Sequence, residues 1–294
     1  MRQFDKPTLL RWIYRSEYAG IQPFRDVLQQ GATEALRKDV IGAEAYVESN
    51  LNSFWGYLMK AQEADERRGI SRIVDIVDPM AMTMRWYTPP INQTLNRRMA
   101  RLRHRPATLK MIDTLTDREF EALACVAMTF AGASNTNLTP AGNEGGVDFF
   151  SLIPSPGRCH LFSGGVHPLR IIGQAKKYSG PVPVDKMKEF LTTINEVKHG
   201  GEAKTEKVVP AWFHSVRGPI VGLMVAHSGF QAGAETRARR HGVITSDSLD
   251  LAELLTLSRF VPAHLSANEH IADLRSRTAT FLGQGQITIS MPRP

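Results

Sequence analysis

The sequence predicts an α/β domain with a mixed sheet flanked by helices, preceded by a mainly helical N-terminal region. From Met111 onward, helical patterns alternate with short apolar strand patterns, which is typical of an α/β domain. Before that point, apolar residues recur at mixed spacings of three and four, which indicates helices. The predicted regions are 1–106 (helical), 107–260 (the α/β domain) and 261–294 (a C-terminal tail).

The composition is that of a globular chain. Of the 294 residues, 42% are apolar and 22% are charged. The apolar runs are far shorter than the ~20 residues that a membrane helix needs, and the segment MRQFDKPTLLRW lacks the apolar core of a signal peptide. Two cysteines are too few for a disulfide framework or a four-thiolate zinc site. We therefore expect a soluble cytoplasmic protein.

The charge is basic and unevenly distributed. Residues 1–110 hold 18 basic and 12 acidic side chains, whereas the remainder holds 18 and 17. Six cations follow one another without an intervening acid: Arg97, Arg98, Arg101, Arg103, Arg105 and Lys110. Such a run can lie along the phosphates of a nucleic acid, or it can form the solvated face of a linker.

The elements follow in order. In the N-terminal region, Leu9 to Ile13 open an amphipathic stretch, and helical patterns cover 31–36 and 43–59. Thr116 and Glu119 fit a capping box, which predicts a helix over 117–130. Strands are then predicted at 135–140, 147–153, 169–178, 220–226 and 242–245. Further helices are predicted at 184–197, 231–241 and 248–257.

Three polar side chains are expected to converge on two of these strands. In the strand 169–178, alternation places Gln174 and Lys176 on one face, roughly 6.5–7 Å apart. Asp148 lies in the strand 147–153, directly after Gly145-Gly146, where glycines permit a close approach. If the two strands pair, a carboxylate, an amide oxygen and an ammonium come together.

This set suits metal-assisted cleavage of a phosphodiester. Mg²⁺ prefers oxygen ligands, and Asp148, Gln174 and the backbone carbonyl of Ala175 can supply them. Lys176 can orient the attacking water and offset charge on the phosphate. A second carboxylate would help, and two candidates stay open: Glu121, on an otherwise apolar helical stripe, and Glu144, before the two glycines. Taken singly, an acid at a strand start is more commonly a turn residue, and a Gln-x-Lys strand is more commonly solvated.

The order of the motifs resembles the Mrr-like branch of the PD-(D/E)XK restriction endonuclease superfamily. The matching segments are REFEALACVAM, GNEGGVDFFSLI, RIIGQAKKYSGPVPVDKMKEFL and IVGLMVAHSGFQAGAETRARRHGVITSDSLDLAELL, over about residues 111–257. The resemblance implies a restriction-endonuclease-like fold and DNA cleavage that depends on Mg²⁺ (or Mn²⁺). It also implies that Asp148 binds the metal, Gln174 replaces an acid, Lys176 is the catalytic lysine and Glu121 is the helix glutamate. The segment PSPGRCHLFSGGVHP lengthens the interval between Asp148 and Gln174.

The resemblance also implies a partner and a context. DNA is the expected partner, in a restriction role against foreign or modified DNA, and no membrane is involved. Contacts with DNA are expected from Arg97, Arg98, Arg101, Arg103 and Lys177. Cutting both strands requires two active sites, which favours a homodimer or a higher homo-oligomer. Two alternatives stay open: a nuclease fold kept as an inactive DNA-binding or scaffold module, and a structure-specific repair nuclease.

Overall fold

The computed structural model describes residues 5–86, 100–142, 146–154, 167–199, 208–258, 261 and 265–288. It divides the chain into two compact units, Met1–Lys110 and Met111–Pro294. The predicted boundary at Pro106 lies slightly before this division. None of the helices in the described ranges has the length and apolar character needed to cross a membrane.

Within residues 5–86, the first unit combines three α-helices with a small sheet. The helices are α1 (Asp5–Arg15), α2 (Phe24–Glu34) and α3 (Val40–Arg67). Their apolar faces form a core around Ile13, Phe24 and Phe54, which are fully buried. The antiparallel sheet has the order β1-β3-β2, with β1 at Gln22–Pro23, β2 at Val74–Asp78 and β3 at Thr83–Trp86. These strands are not predicted from the sequence because they are short and, in VDIVD, two acids obscure the apolar pattern.

The first two cations of the basic run lie outside the described residues, and the others lie in two helices. Arg97 and Arg98 lie outside the described ranges, whereas Arg101 and Arg103 lie in a 3₁₀ helix, Ala100–His104. The next residue, Arg105, starts α4 (Arg105–Thr114) and is buried, donating to the carbonyls of Ser71 and Arg72 at 2.7 and 2.9 Å. At least one cation of the run therefore serves packing within the first unit.

The second unit is built on a six-stranded mixed sheet with the order β8-β7-β6-β5-β4-β9. The strands β6, β7 and β8 are parallel, and the other pairs are antiparallel. Their bounds are β4 Asn135–Leu138, β5 Phe149–Ile153, β6 Leu169–Lys176, β7 Ile220–Ala226, β8 Ile244–Asp247 and β9 Gln286–Thr288. The predicted mixed sheet is confirmed.

Helices cover both faces of this sheet, as the fold class predicts. Their bounds are α5 Asp117–Phe130, α6 Val184–His199, α7 Ala211–Ser215, α8 Ala232–Arg240, α9 Ser248–Leu257 and α10 Ala267–Gln284. Helix α5 packs against β4, β5 and β6 and is contacted by α9 and α10. On the other face, α6 and α8 bury apolar side chains with Phe150, Ile172 and Met224.

The start of α5 confirms the predicted capping box. The Thr116 hydroxyl accepts the N–H of Glu119 at 3.2 Å, and the Glu119 carboxylate accepts the N–H of Thr116 at 2.7 Å. Two N–H groups that have no partner inside the helix are thereby satisfied. The reciprocal bonds fix where α5 begins, and with it the position of Glu121 one turn later.

The C-terminal segment is part of the second unit rather than a tail, which corrects the prediction for 261–294 in the residues described. Helix α10 packs on α5, and β9 pairs with β4, with Thr136 opposite Ile287. Leu274, Thr278 and Phe281 are buried at helical spacing. This stripe is the pattern that the prediction of a tail overlooks.

The register between β5 and β6 depends on one glycine. Phe149 lies opposite Gly173, and a Cβ on Gly173 would be 2.0 Å from the Cζ of the Phe149 ring. Only a residue without a side chain allows the ring to lie flat on β6 here. The register places the residue before Phe149, Asp148, beside the end of β6.

Candidate active site

Asp148 is held at the start of β5 by backbone bonds on both sides. Its N–H donates to the carbonyl of Gly173 at 2.9 Å, and its carbonyl accepts the N–H of Thr139 at 3.0 Å. The residue is 3% exposed. A carboxylate this deeply buried requires partners, and β6 supplies them.

The side chain of Asp148 meets the end of β6. Its Oδ2 accepts the N–H of Ala175 at 2.6 Å, and the Nζ of Lys176 lies 3.9 Å from the same oxygen. The Lys176 side chain is 24% exposed, whereas that of Asp148 is 5% exposed. The convergence of Asp148 with Lys176 that follows from strand pairing is present.

Gln174 takes part through its amide. Its Nε2 donates to the carbonyl of Gly146 at 2.7 Å, and the residue is 7% exposed. Because the amide nitrogen is used in this bond, the oxygen is the end left to accept or to coordinate. Gly146 has φ +86°, and a Cβ there would lie 3.0 Å from the Thr193 hydroxyl. Glycine therefore provides both the conformation and the space that bring its carbonyl to Gln174.

Glu121, the predicted second carboxylate, forms an ion pair with a residue that sequence reasoning missed. The Nη1 of Arg118 donates to the Oε2 of Glu121 at 2.6 Å, and the Nη2 of Arg118 donates to the carbonyl of Thr139. Thr139 is also the residue whose N–H holds Asp148. The three-residue spacing of Arg118 and Glu121 on a helix is the signal that predicts this pair.

The pKa of the buried Cys125 thiol depends on its burial and on nearby charged side chains. Burial raises the pKa of Cys125; Arg118 opposes the rise, and the carboxylates of Asp148 and Glu121 add to it. The same side chains are linked by bonds, since Arg118 bonds both Glu121 and the carbonyl of Thr139, and the N–H of Thr139 bonds Asp148. The thiol is fully buried, so Cys125 serves as a core residue.

The donor set at this site fits a hard divalent cation with few protein ligands. Within the described ranges, no three His, Cys, Asp or Glu side chains are grouped so that they hold a metal ion. The available donors are the Asp148 carboxylate, the Gln174 amide oxygen and the Ala175 carbonyl. These are oxygen ligands of the kind that suits Mg²⁺, which keeps several waters. Glu144, the other predicted acid, lies outside the described residues.

A second group of polar residues borders the ends of β6 and β7. Nε2 of His227 lies 2.7 Å from the Oδ1 of Asp113, and Nζ of Lys177 donates to the Asp113 carbonyl at 3.0 Å. The backbone N–H of His227 donates to the carbonyl of Lys176 at 2.9 Å. Lys177, expected to contact DNA, thus has a partner within the domain. No spacing in the sequence links Asp113 to His227, so pattern reasoning cannot find this pair.

Residues 112–255 match the model of a family described as restriction endonuclease, Mrr_cat. No curated protein is detectably similar to the chain.

Among solved structures, the MspJI restriction endonuclease in complex with a 27-mer oligonucleotide is 18% identical, with a TM-score of 0.39 over 73% of this chain and 44% of that one. The DNA modification-dependent restriction endonuclease AspBHI is 20% identical, with a TM-score of 0.40 over 67% and 46%. The restriction endonuclease FokI is 13% identical, with a TM-score of 0.33 over 94% and 44%. The chain spans less than half the length of each of these proteins.

Proposed function

We propose that the chain is a Mg²⁺-dependent DNA endonuclease that hydrolyses phosphodiester bonds, because residues 112–255 match the family model described as restriction endonuclease. The observation that carries the proposal is the ammonium of Lys176, the last residue of β6, at 3.9 Å from the carboxylate of Asp148, the residue directly before β5. The carboxylate can bind the cation and the ammonium can offset charge on the phosphate, and both are roles in metal-assisted hydrolysis of a phosphodiester.

Each residue has a proposed role. Asp148, Gln174 and the Ala175 carbonyl would hold the cation, which when bound polarises the scissile phosphate and acidifies a water. The N–H of Ala175 fixes one oxygen of Asp148 and orients the carboxylate. Lys176 orients the attacking water and offsets the charge that grows on the phosphate. Glu121 is the proposed second carboxylate, and Arg118 offsets its charge.

The wider context is also proposed. The chain acts in the cytoplasm, in restriction of foreign or modified DNA, and as a homodimer that presents one site to each strand. The basic residues Arg97, Arg98, Arg101 and Arg103, together with Lys177, contribute DNA contacts in this proposal. Their expected effect is electrostatic, since phosphate contacts release counterions and make affinity fall as salt rises.

One observation favours a second candidate, a nuclease fold that binds DNA without cutting it. The family that the sequence resembles has an acid at the position of Gln174. The amide nitrogen of Gln174 donates a hydrogen bond to the Gly146 carbonyl. In the described part of the chain, Asp148 is the one carboxylate that lies within 4.0 Å of Lys176. A site with a single acid beside the lysine holds a divalent cation less tightly than a site with two acids does.

Cleavage of supercoiled plasmid in Mg²⁺ tests the proposal. Wild type should nick the plasmid, and EDTA, Lys176→Ala and Asp148→Asn should each abolish nicking. The matched control is Lys198→Ala, an exposed lysine in the last turn of α6, which should nick like wild type. Equal nicking by wild type and Lys176→Ala overturns the proposed active site, and DNA binding without nicking by wild type supports the second candidate.

A substrate panel tests the restriction role. Linear, methylated, branched and single-stranded DNA are offered side by side to the same preparation. A preference for modified duplex supports restriction. A preference for branched substrates instead identifies a structure-specific repair nuclease.

A further inference from the structure

A basic groove lies along α8, next to the start of α6, on the second unit. One stripe of α8 lines it, together with Val184 at the start of α6; the stripe consists of Gly233, Thr236, Arg237, Arg240 and the following His241. These positions recur at three and four residues, so they share one face of the helix. The groove is open to solvent and has a volume of about 470 Å³.

The two helices next to the groove are the ones that follow β6 and β7 in the chain, and β6 ends at Lys176. The segments that follow these strands are joined: the N–H of Val182 donates to the Gly229 carbonyl at 2.8 Å, and the N–H of Gln231 donates to the Val182 carbonyl at 3.0 Å. The helices α6 and α8 therefore begin side by side, directly beyond the strand ends that carry the candidate site. With nine residues, α8 extends the groove for about 13.5 Å.

The cations of the groove exceed the acids around it. In the described part of the chain, neither Arg237 nor Arg240 forms an ion pair, whereas Asp185 and Glu189 on α6 are bonded to Lys188 and Lys186. Lys188 above all, with smaller contributions from Arg237 and Lys186, keeps the pKa of Asp185 below its usual range. The exposed Glu235, on α8, does not line the groove.

The lining also limits what the groove can bind. Its floor is Ala232 and Gly233, and a Cβ on Gly233 would lie 2.8 Å from the Cγ2 of Val184, so a larger residue would fill the floor. Small residues let a backbone approach closely. Guanidinium groups bind phosphate oxygens in a fork. Two arginines above a small floor therefore match a sugar-phosphate backbone better than a small apolar ligand.

We propose that this groove holds the sugar-phosphate backbone of DNA at a contact line beyond the scissile bond, through Arg237 and Arg240. The proposal rests on the proposed function in one respect, that the substrate is DNA. It places phosphate contacts on the domain of residues 112–255, in addition to those expected from the basic run before residue 111.

Binding, measured without cleavage, tests the groove. Fluorescence anisotropy of a labelled duplex is recorded in EDTA over a series of KCl concentrations, with the full chain. Removing two phosphate contacts in Arg237→Gln/Arg240→Gln should reduce the slope of log affinity against log salt by about 1.8, since each contact contributes about 0.9. The matched control is Arg239→Gln/Lys198→Gln, which removes two exposed cations outside the groove and should keep the wild-type slope.

A third variant adds charge instead of removing it. Thr236→Glu places a carboxylate on the exposed stripe and should weaken binding more than the control pair does. Thermal melts followed by circular dichroism establish that all variants are folded. Equal slopes for the groove pair and the control pair overturn the proposal, as does wild type that fails to bind duplex at low salt. A reduced slope in a chain that never nicks DNA supports the groove while refuting the proposed nuclease activity.

Discussion

Asp113 and His227, which are 114 residues apart in the chain, are joined by a contact of 2.7 Å between Oδ1 and Nε2. Asp113 lies near the end of α4, and His227 follows β7 directly. The carbonyl of Asp113 also accepts from Lys177, the residue after β6. Asp113 therefore bonds the end of α4 to the residues that directly follow β6 and β7.

Breaking this pair should destabilise the second unit. We expect Asp113→Asn and His227→Gln each to lower the free energy of unfolding by about 1–3 kcal/mol, because each leaves a partly buried polar partner unsatisfied. The double variant should lose less than the sum of the two, since both changes remove one interaction. Urea denaturation measures all three, and His199→Gln, an exposed histidine on α6, is the control. Additive losses would mean that the two side chains do not act as a pair.

An acid is a poor replacement for Gln174, although the resemblance expects one there. In Gln174→Glu, the donor that faces the Gly146 carbonyl at 2.7 Å becomes an oxygen. We expect the free energy of unfolding to fall by about 1–3 kcal/mol through this lost bond and the repulsion that replaces it. Asn195→Asp makes the same chemical change at an exposed position of α6 and should alter stability by no more than about 0.5 kcal/mol. Chemical denaturation measures the free energy of unfolding of both variants. If Gln174→Glu unfolds with the same free energy as wild type, the amide of Gln174 is not needed for stability.

Two glycines should respond in opposite directions to the same substitution. Gly173→Ala forces a methyl group into the Phe149 ring and should cost about 1–3 kcal/mol or more. Gly283→Ala lies in α10 with nothing within 4 Å of the added carbon, and should stabilise by about 0.4–1 kcal/mol because alanine restricts the unfolded chain. Thermal unfolding of the two variants shows whether each substitution raises or lowers the stability of the protein. A neutral Gly173→Ala would show that β5 and β6 can shift their register without cost.

The pairing of Arg118 with Glu121 predicts a partial rescue. Arg118→Met removes the bonds to Glu121 and to the Thr139 carbonyl, and leaves a carboxylate that is only 17% exposed without its cation. We expect a loss of about 1–3 kcal/mol in the free energy of unfolding. Adding Glu121→Gln to Arg118→Met should recover part of that loss, because the charge is then gone. A double variant that is less stable than Arg118→Met alone would contradict the role given to this ion pair.

The stability of the second unit should depend on pH through His270. Burial lowers the pKa of this histidine in α10, and Asp273 opposes that change only in part. The unfolded chain, with a histidine pKa of about 6.5, therefore binds a proton more readily than the folded protein. Stability is complete above about pH 6.5 and falls as the pH drops below that value.

Melting temperatures between about pH 7.5 and pH 5.5 measure this effect, in a range where most carboxylates stay ionised. His270→Leu should show a smaller fall than wild type over that interval. Identical pH dependence in the two proteins would assign the fall to other groups.

The sequence predicts the second unit well where the signals are local. The helices 117–130 and 248–257 and the strand 220–226 are found with the predicted bounds. Each is defined by a capping group or by an uninterrupted apolar run, which requires only neighbouring residues. Asp148 and Lys176 follow from strand pairing, because alternation within each strand fixes which side chains face one another.

What the sequence does not predict depends on distant partners. The sheet of the first unit and β9 are short strands whose pairing is decided by residues far along the chain. The contact of Arg118 with the Thr139 carbonyl and that of Asp113 with His227 arise only after folding. Short spacing reveals one of these partners, Arg118, through its neighbour Glu121. The catalytic roles of Asp148, Gln174, Lys176 and Glu121 stay predictions.

The three residues of β9 have a consequence for solubility. They pair with the outer side of β4, whose N–H and C=O groups would otherwise point outward without partners. An exposed edge strand is a template to which a strand from another molecule can add. Proteins prevent this addition in several ways, and one of them is a very short strand at the edge of the sheet. A chain truncated before Gln286 would expose β4 to a second copy and aggregate by intermolecular strand pairing.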